Sequence, residues 1–171
     1  MKEKKFYVNL FQLKFLKMVK LYFDGACVPK NPGGDMGLGF WIEQYGKETY
    51  SFSKYIPSKD FPSNTSNNIA EYMALKEGLE YCISQNFKDI MVFGDSNLVI
   101  QQMSGKWKIK EGLYVPFALE TQSLLSKYSN IKFQWIKREQ NTRADELSNQ
   151  DIPKELIEQA KINFSKYKKK S

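Results

Sequence analysis

The sequence predicts an α/β domain built on a mixed five-stranded sheet, three antiparallel strands followed by parallel crossovers, with helices packed on it. Three observations predict it. The first third carries three β-branched and aromatic runs separated by Gly- and Pro-rich turns, and the remainder alternates short apolar runs with helical periodicity. Hairpins come first and crossovers later, the order of a mixed sheet covered by helices.

Met18 to Phe23 reads as a strand that stops in a turn at Asp24-Gly25. Pro29 to Gly34 is a loop, since two prolines and two glycines defeat helix and ladder alike. Gly37 to Glu43 and Glu48 to Ile56 flank Gln44-Tyr45-Gly46-Lys47, the pattern of a hairpin. Pro57 to Asn67 is a second loop. From Asn68, Ile69, Tyr72, Met73, Leu79, Cys82 and Ile83 recur at helical spacing, predicting a helix that ends near Asn86. Asp89 to Gly94 is a short strand, and Ser96-Asn97 starts a helix to about Met103. After the Gly105-Lys106-Trp107 break come a helix over Val115 to Tyr128, a strand over Ile131 to Ile136 and a short helix over Asn141 to Gln150.

Two tails flank this plan. In residues 2–15, Phe6, Val8 and Leu10 alternate as in a strand while Phe6, Leu10 and Leu13 also fit a helix; Lys154 to Lys170 is amphipathic and ends in a lysine run. The expected organisation is an extension over 1–17, a domain over 18–150 and a basic extension over 151–171. With 171 residues, 42% of them hydrophobic, the chain is long enough for one well-cored domain. A net charge of +7 favours a polyanionic partner. Cys27 and Cys82 are too few for a disulfide framework and suit a reducing cytoplasm. Lysine and polar residues break every apolar run near the N-terminus, so no membrane association is expected. The absence of histidine excludes histidine metal sites and histidine-dependent triads.

Four acidic residues, Asp24, Glu71, Asp95 and Asp145, each sit where a strand or helix would hold them rigidly. Singly, each has an ordinary role. Asp24-Gly25 makes a turn, Asp95 an N-cap, Asn68-x-x-Glu71 a capping box and Asp145 a solvated helix position. Caps and turns have no reason to converge, whereas the expected topology brings these four to one sheet edge. Carboxylates gathered there stay ionised only beside a cation, and hard oxygens select Mg²⁺ or Mn²⁺. Such a cluster suits two-metal phosphodiester cleavage.

The order strand–Asp-Gly, hairpin, Asn-Asn-x-x-Glu on a helix, strand–Asp-Ser, strand, and a helix with Ala-Asp-Glu-Leu resembles type 1 ribonuclease H over roughly Met18 to Gln150. The resemblance implies the ribonuclease H-like fold and an endonuclease that cuts the RNA strand of RNA–DNA hybrids, leaving 5′-phosphate and 3′-hydroxyl ends. It implies two Mg²⁺ ions, with Mn²⁺ as a substitute. Asp24 would bridge them, Glu71 and Asp95 would complete the site beside the leaving oxygen, and Asp145 would hold the ion that activates water. The resemblance also places Asn31, Asn67, Asn68, Ser96 and Asn97 against the nucleic acid, with Gly25 and Cys27 beside the first aspartate; Ser66 and Asn31 are candidates for a DNA phosphate. Asn and Ser also populate loops and caps for purely local reasons.

Three features lie at the margins of the pattern. The loop from Gly105 to Gly112 is shorter than the basic protrusion of some family members and carries three lysines and Trp107, a residue suited to packing on deoxyribose but, when isolated, more often found in a core. The lysines from Lys166 to Lys170 are candidates for the missing phosphate affinity. Many type 1 enzymes have a histidine before the last helix, where this chain has Lys137-Arg138-Glu139-Gln140-Asn141, so Arg138 and Glu139 both stand as candidate catalytic residues. A monomer bound to hybrid is the expected state. The competing readings are a hybrid- or R-loop-binding protein without cleavage and another metal nuclease of the same superfamily, such as an integrase, resolvase or proofreading exonuclease.

Overall fold

A computed structural model describes residues 18–168; the expectations for residues 2–15 and for the last lysines lie outside that range. Strands β1 (Val19–Val28), β2 (Asp35–Gln44), β3 (Lys47–Ile56), β4 (Asp89–Gly94) and β5 (Asn130–Trp135) form one sheet in the order β3-β2-β1-β4-β5. The first three pair antiparallel, and β4 and β5 add parallel to them. The helices are α1 (Asn67–Ser84), α2 (Asn97–Met103), α3 (Val115–Ser123), α4 (Thr142–Gln150) and α5 (Lys154–Lys168).

The predicted plan holds, with instructive departures at its ends. β1 does not stop at Asp24-Gly25. Antiparallel pairing continues through Asp24↔Gly39 and Gly25↔Leu38 to Val28↔Asp35, so Asp24 lies within a paired strand rather than in a turn. The β2–β3 hairpin is tighter than the four residues expected, because Tyr45 and Gly46 both take positive φ, as a two-residue I′-type turn requires. α1 starts at Asn67 with Ser66 as its cap, the hydroxyl accepting from Ile69 N at 3.2 Å, so Asn68 and Glu71 form no capping box. Trp107, expected in the core, is 48% exposed. Buried Gln102 accepts from Tyr72 Oη and donates to Lys108 O at 3.0 Å, which fixes the backbone of this short loop and leaves the indole outside.

Strand periodicity divides the helices between two faces. Leu21, Phe23, Leu38, Phe40 and Ile42 point to one side, where they bury against Ile69, Leu75 and Leu79 of α1. Each such burial stabilises by roughly 1.5–3 kcal/mol. Gly37 and Gly39 alternate with them on the other side, where α4 packs directly on the strand. A Cβ on Gly37 would lie 1.8 Å from Ser148 O, and one on Gly39 would lie 2.3 Å from Ser148 N. Two glycines thus set the distance between the sheet and α4.

Gly37→Ala is expected to destabilise the protein by about 1–3 kcal/mol or more, because backbone must move to admit the methyl group. Gly46→Ala, which meets no atom within 4 Å but takes φ +75°, should lose about 1 kcal/mol from strain alone. Urea titration compares the two. Equal small losses would mean that glycine clearance does not set the helix position.

Candidate active site

Each acidic side chain reaches one corner of the molecule from a different element. Asp24 comes from β1, Glu71 from the second turn of α1, Asp95 from the residue after β4 and Asp145 from the first turn of α4. Gly25 permits this, since a Cβ there would meet Glu71 N at 2.2 Å; only glycine lets α1 lie so close beside Asp24. Oxygens of Asp24, Glu71 and Asp95 all lie within 4.8 Å of one another. Asp145 stands outside that trio but lines the same cavity of about 330 Å³, together with Gly25, Cys27, Asn67, Ser96 and Arg138.

A separate donor holds each carboxylate. Ser148 Oγ donates to Asp24 Oδ2 at 2.6 Å, Asn141 Nδ2 to Asp95 Oδ1 at 2.7 Å, and Arg138 Nη2 to Asp145 Oδ1 at 2.8 Å. Asn67 Nδ2 reaches Glu71 Oε1 only at 3.5 Å. Ser148 and Asn141 were not among the residues singled out in the sequence. Their signal was spacing, since each lies one turn from Asp145, at i+3 and i−4, on the face that turns inward.

The electrostatics are those of a site built for cations. Asp24 is 7% exposed, and burial first, then the neighbouring Asp95 and Asp145, push its carboxyl up to about 7 against the opposing Ser148 hydrogen bond. Burial and the charges of Asp24 and Asp95 drive Glu71 well above the carboxylate range. Glu71 Oε2 is buried without a hydrogen-bond partner among the described residues. A divalent ion would satisfy that oxygen and offset most of the charge of the trio, so the donor set fits a hard cation.

The remaining candidates are more scattered. Asn31 Oδ1 accepts from Asn67 N at 3.0 Å, joining the loop after β1 to the start of α1. Ser66 and Ser96 use their hydroxyls as helix caps. Asn68 is exposed on the first turn of α1, and Asn97 Oδ1 accepts from Gln101 Nε2 at 3.1 Å. Glu139, exposed on the 3₁₀ turn after β5, does not line the cavity as Arg138 does.

A family model described as reverse transcriptase-like matches residues 54–151. The ribonuclease H of Acetivibrio thermocellus is 31% identical over 157 residues, covering 81% of this chain and 97% of that protein. The chain belongs to the type 1 ribonuclease H family. The bifunctional protein Rv2228c of Mycobacterium tuberculosis is 37% identical over 92 residues, 54% of this chain, which corresponds to 25% of the relative's length. Among solved structures, LC11-RNase H1 in complex with an RNA/DNA hybrid superposes with a TM-score of 0.67 at 30% identity, covering 78% of this chain and 96% of that one. Within the described residues no helix is long and apolar enough to cross a membrane.

The Asp24 shift sets a pH dependence. Its ordinary value is 3.8 and its folded value about 7, so between these the folded protein holds a proton that the unfolded chain has released. The contribution of Asp24 to the stability of the metal-free protein should therefore be fully present below about pH 4 and be lost as pH rises through 7. Between pH 5 and 8 the loss from Asp24 should be about 2.5 kcal/mol, or roughly 5–10 °C in Tm. Asp24→Asn should flatten that slope. Added Mg²⁺ should raise Tm at pH 8 and hardly at pH 5, because protons and the ion compete for the same oxygens. Scanning calorimetry with and without chelator measures both; an unchanged slope in the variant would show that another group carries it.

Proposed function

We propose that this chain hydrolyses the RNA strand of RNA–DNA hybrids, with two Mg²⁺ ions, replaceable by Mn²⁺, held by Asp24, Glu71, Asp95 and Asp145. The observation that carries this reading is the convergence of three carboxylates within 4.8 Å on an unpartnered buried oxygen, with Asp145 at the rim of the same cavity. The hybrid bound by the 30% identical LC11-RNase H1 supports the substrate class. Residues 18–150 form the catalytic unit in this reading, and the chain acts as a monomer in the cytoplasm.

When bound, the ions supply Lewis acidity and a nucleophile at neutral pH, which relieves the protein of providing a general base. The chain's own residues do the rest. Buried Asp24 and Glu71 form a floor that Ser148 and Asn67 keep in place. Asn141 also donates to Phe23 O at 2.9 Å, so one side chain ties Asp95 to β1. Arg138 lies where its guanidinium can meet a non-bridging phosphate oxygen, and Asn67 and Ser96 offer small polar groups to 2′-hydroxyls in the shallow groove of an A-like duplex. Gly25, Cys27, Asn31, Ser66, Asn68 and Asn97 complete the surface on which the hybrid rests.

End-labelled hybrid, duplex RNA, duplex DNA and single strands test the reading directly. Only the RNA strand of the hybrid should be cut, and chelator should stop it. Asp95→Asn should lower the rate by about 10³-fold or more, several kcal/mol of transition-state stabilisation, while hybrid binding stays measurable in low salt. Near-normal turnover would remove Asp95 from the site.

Arg138 and Glu139 separate by pH. Arg138→Ala should slow cleavage by a similar factor at every pH, since guanidinium does not titrate in the working range. Glu139→Gln should alter the shape of the profile only if that carboxylate moves protons. Two wild-type-like profiles would mean that neither residue takes part.

A further inference from the structure

Beside the carboxylate cavity lies a larger groove of about 760 Å³. One wall is α5, through Ala160, Asn163, Phe164 and Lys166, and the other is the loop after β1, through Pro29, Lys30 and Asn31. Asn163 Nδ2 donates to Pro29 O at 3.3 Å and so fastens the helix to the loop. Cys27 lines both hollows, so the groove adjoins the site.

The chemistry of the walls is mixed in a telling way. Phe164 is 63% exposed, and Lys30 and Lys166 are exposed as well. Along α5, Lys154 is accompanied by Glu155 and Glu158 in the first half, whereas the second half, with Lys161 and Lys166, carries no acidic residue. A duplex passing here would offer phosphates and sugar edges, for which lysines suffice. An aromatic ring set among lysines matches a strand whose bases are unstacked and present their faces.

We propose that this groove binds a single-stranded extension of the substrate as it leaves the hybrid, with a base stacked on Phe164 and phosphates held by Lys30 and Lys166. The inference rests on the hybrid-cleavage reading and narrows it: the preferred substrate is a junction between hybrid and single strand rather than a blunt hybrid. Because the groove adjoins the cavity at Cys27, the single strand begins within a few nucleotides of the cleaved phosphate.

Cleavage kinetics on one hybrid made blunt, or tailed on either strand at either end, test this with the full chain. At least one tailed form should show a KM lower by about tenfold, the scale of one base–aromatic stack. Phe164→Ala should bring the ratio of blunt to tailed KM close to one. Ile162→Ala, on the same helix but outside the groove, should leave the ratio as it is. Lys166→Ala should reduce the logarithmic salt slope for the tailed form by about 0.7. Equal KM for all forms in the wild type, or a ratio preserved in Phe164→Ala, overturns the proposal while leaving hybrid cleavage intact. If no hybrid is cut, the hybrid reading fails instead, and anisotropy of a labelled single-stranded oligonucleotide in chelator decides the groove. Binding weakened about tenfold by Phe164→Ala supports it, and unaltered binding rejects it.

Discussion

Carboxyl groups packed within a few ångström of one another in a buried corner repel when ionised, so something must hold them there until a cation arrives. In this chain the holding is done by rigid backbone. Asp24 lies inside a ten-residue strand paired with β2 from Lys20 to Val28, and Glu71 lies on an 18-residue helix whose apolar face is fixed by the core. Burial of Leu21, Phe23, Phe40, Leu75 and Leu79 offsets the desolvation of the two acids a few residues away. Burial first and this repulsion second displace the Asp24 and Glu71 carboxyls upward, so protons compete for them in the metal-free state and Arg138 does not offset the effect alone.

Close approach depends on residues that have no side chain to offer. Gly25 lets α1 settle against β1 and brings Glu71 to Asp24; Gly37 and Gly39 let α4 settle on β2 and bring Ser148 to the same carboxylate. Glycine in strands ordinarily weakens them. Here each position is where another backbone lies within van der Waals distance, so the weakening is offset by contacts no other residue permits.

The fold was legible in the sequence because its elements are short and strongly patterned. β4 was read to its last residue, and the mixed sheet followed from the order of the elements, hairpins first and crossovers later. The errors arose where local chemistry has two uses. Asp-Gly is a turn signal in an isolated peptide, yet pairing with β2 carried β1 three residues past it. Ser66 rather than Asn68 caps α1, and either would satisfy a helix start; tertiary packing chose between them. The four acids could be found by pattern, and helical spacing puts Asn141 and Ser148 one turn from Asp145, but spacing does not name their partners. Their partners, Phe23 O and Asp24 Oδ2, lie 118 and 124 residues earlier, and no local window connects them.

The site also separates a fixed floor from an exchangeable rim. Ser148 and Asn141 are 1% exposed; removing Ser148 takes a donor from buried Asp24, and removing Asn141 breaks both the link to Phe23 O and the link to half-buried Asp95. Arg138 is different, with a side chain 76% exposed against an Asp145 side chain that is 36% exposed. An ion pair so open to solvent is worth about 0–1 kcal/mol, little more than the hydration it displaces. Arg138 can therefore leave Asp145 for a phosphate oxygen of the substrate at small cost, and Asp145 is then released to face the cavity. Exposure thus decides which charges are scaffold and which are working parts: a pair that is weak because it is wet is one the substrate can break.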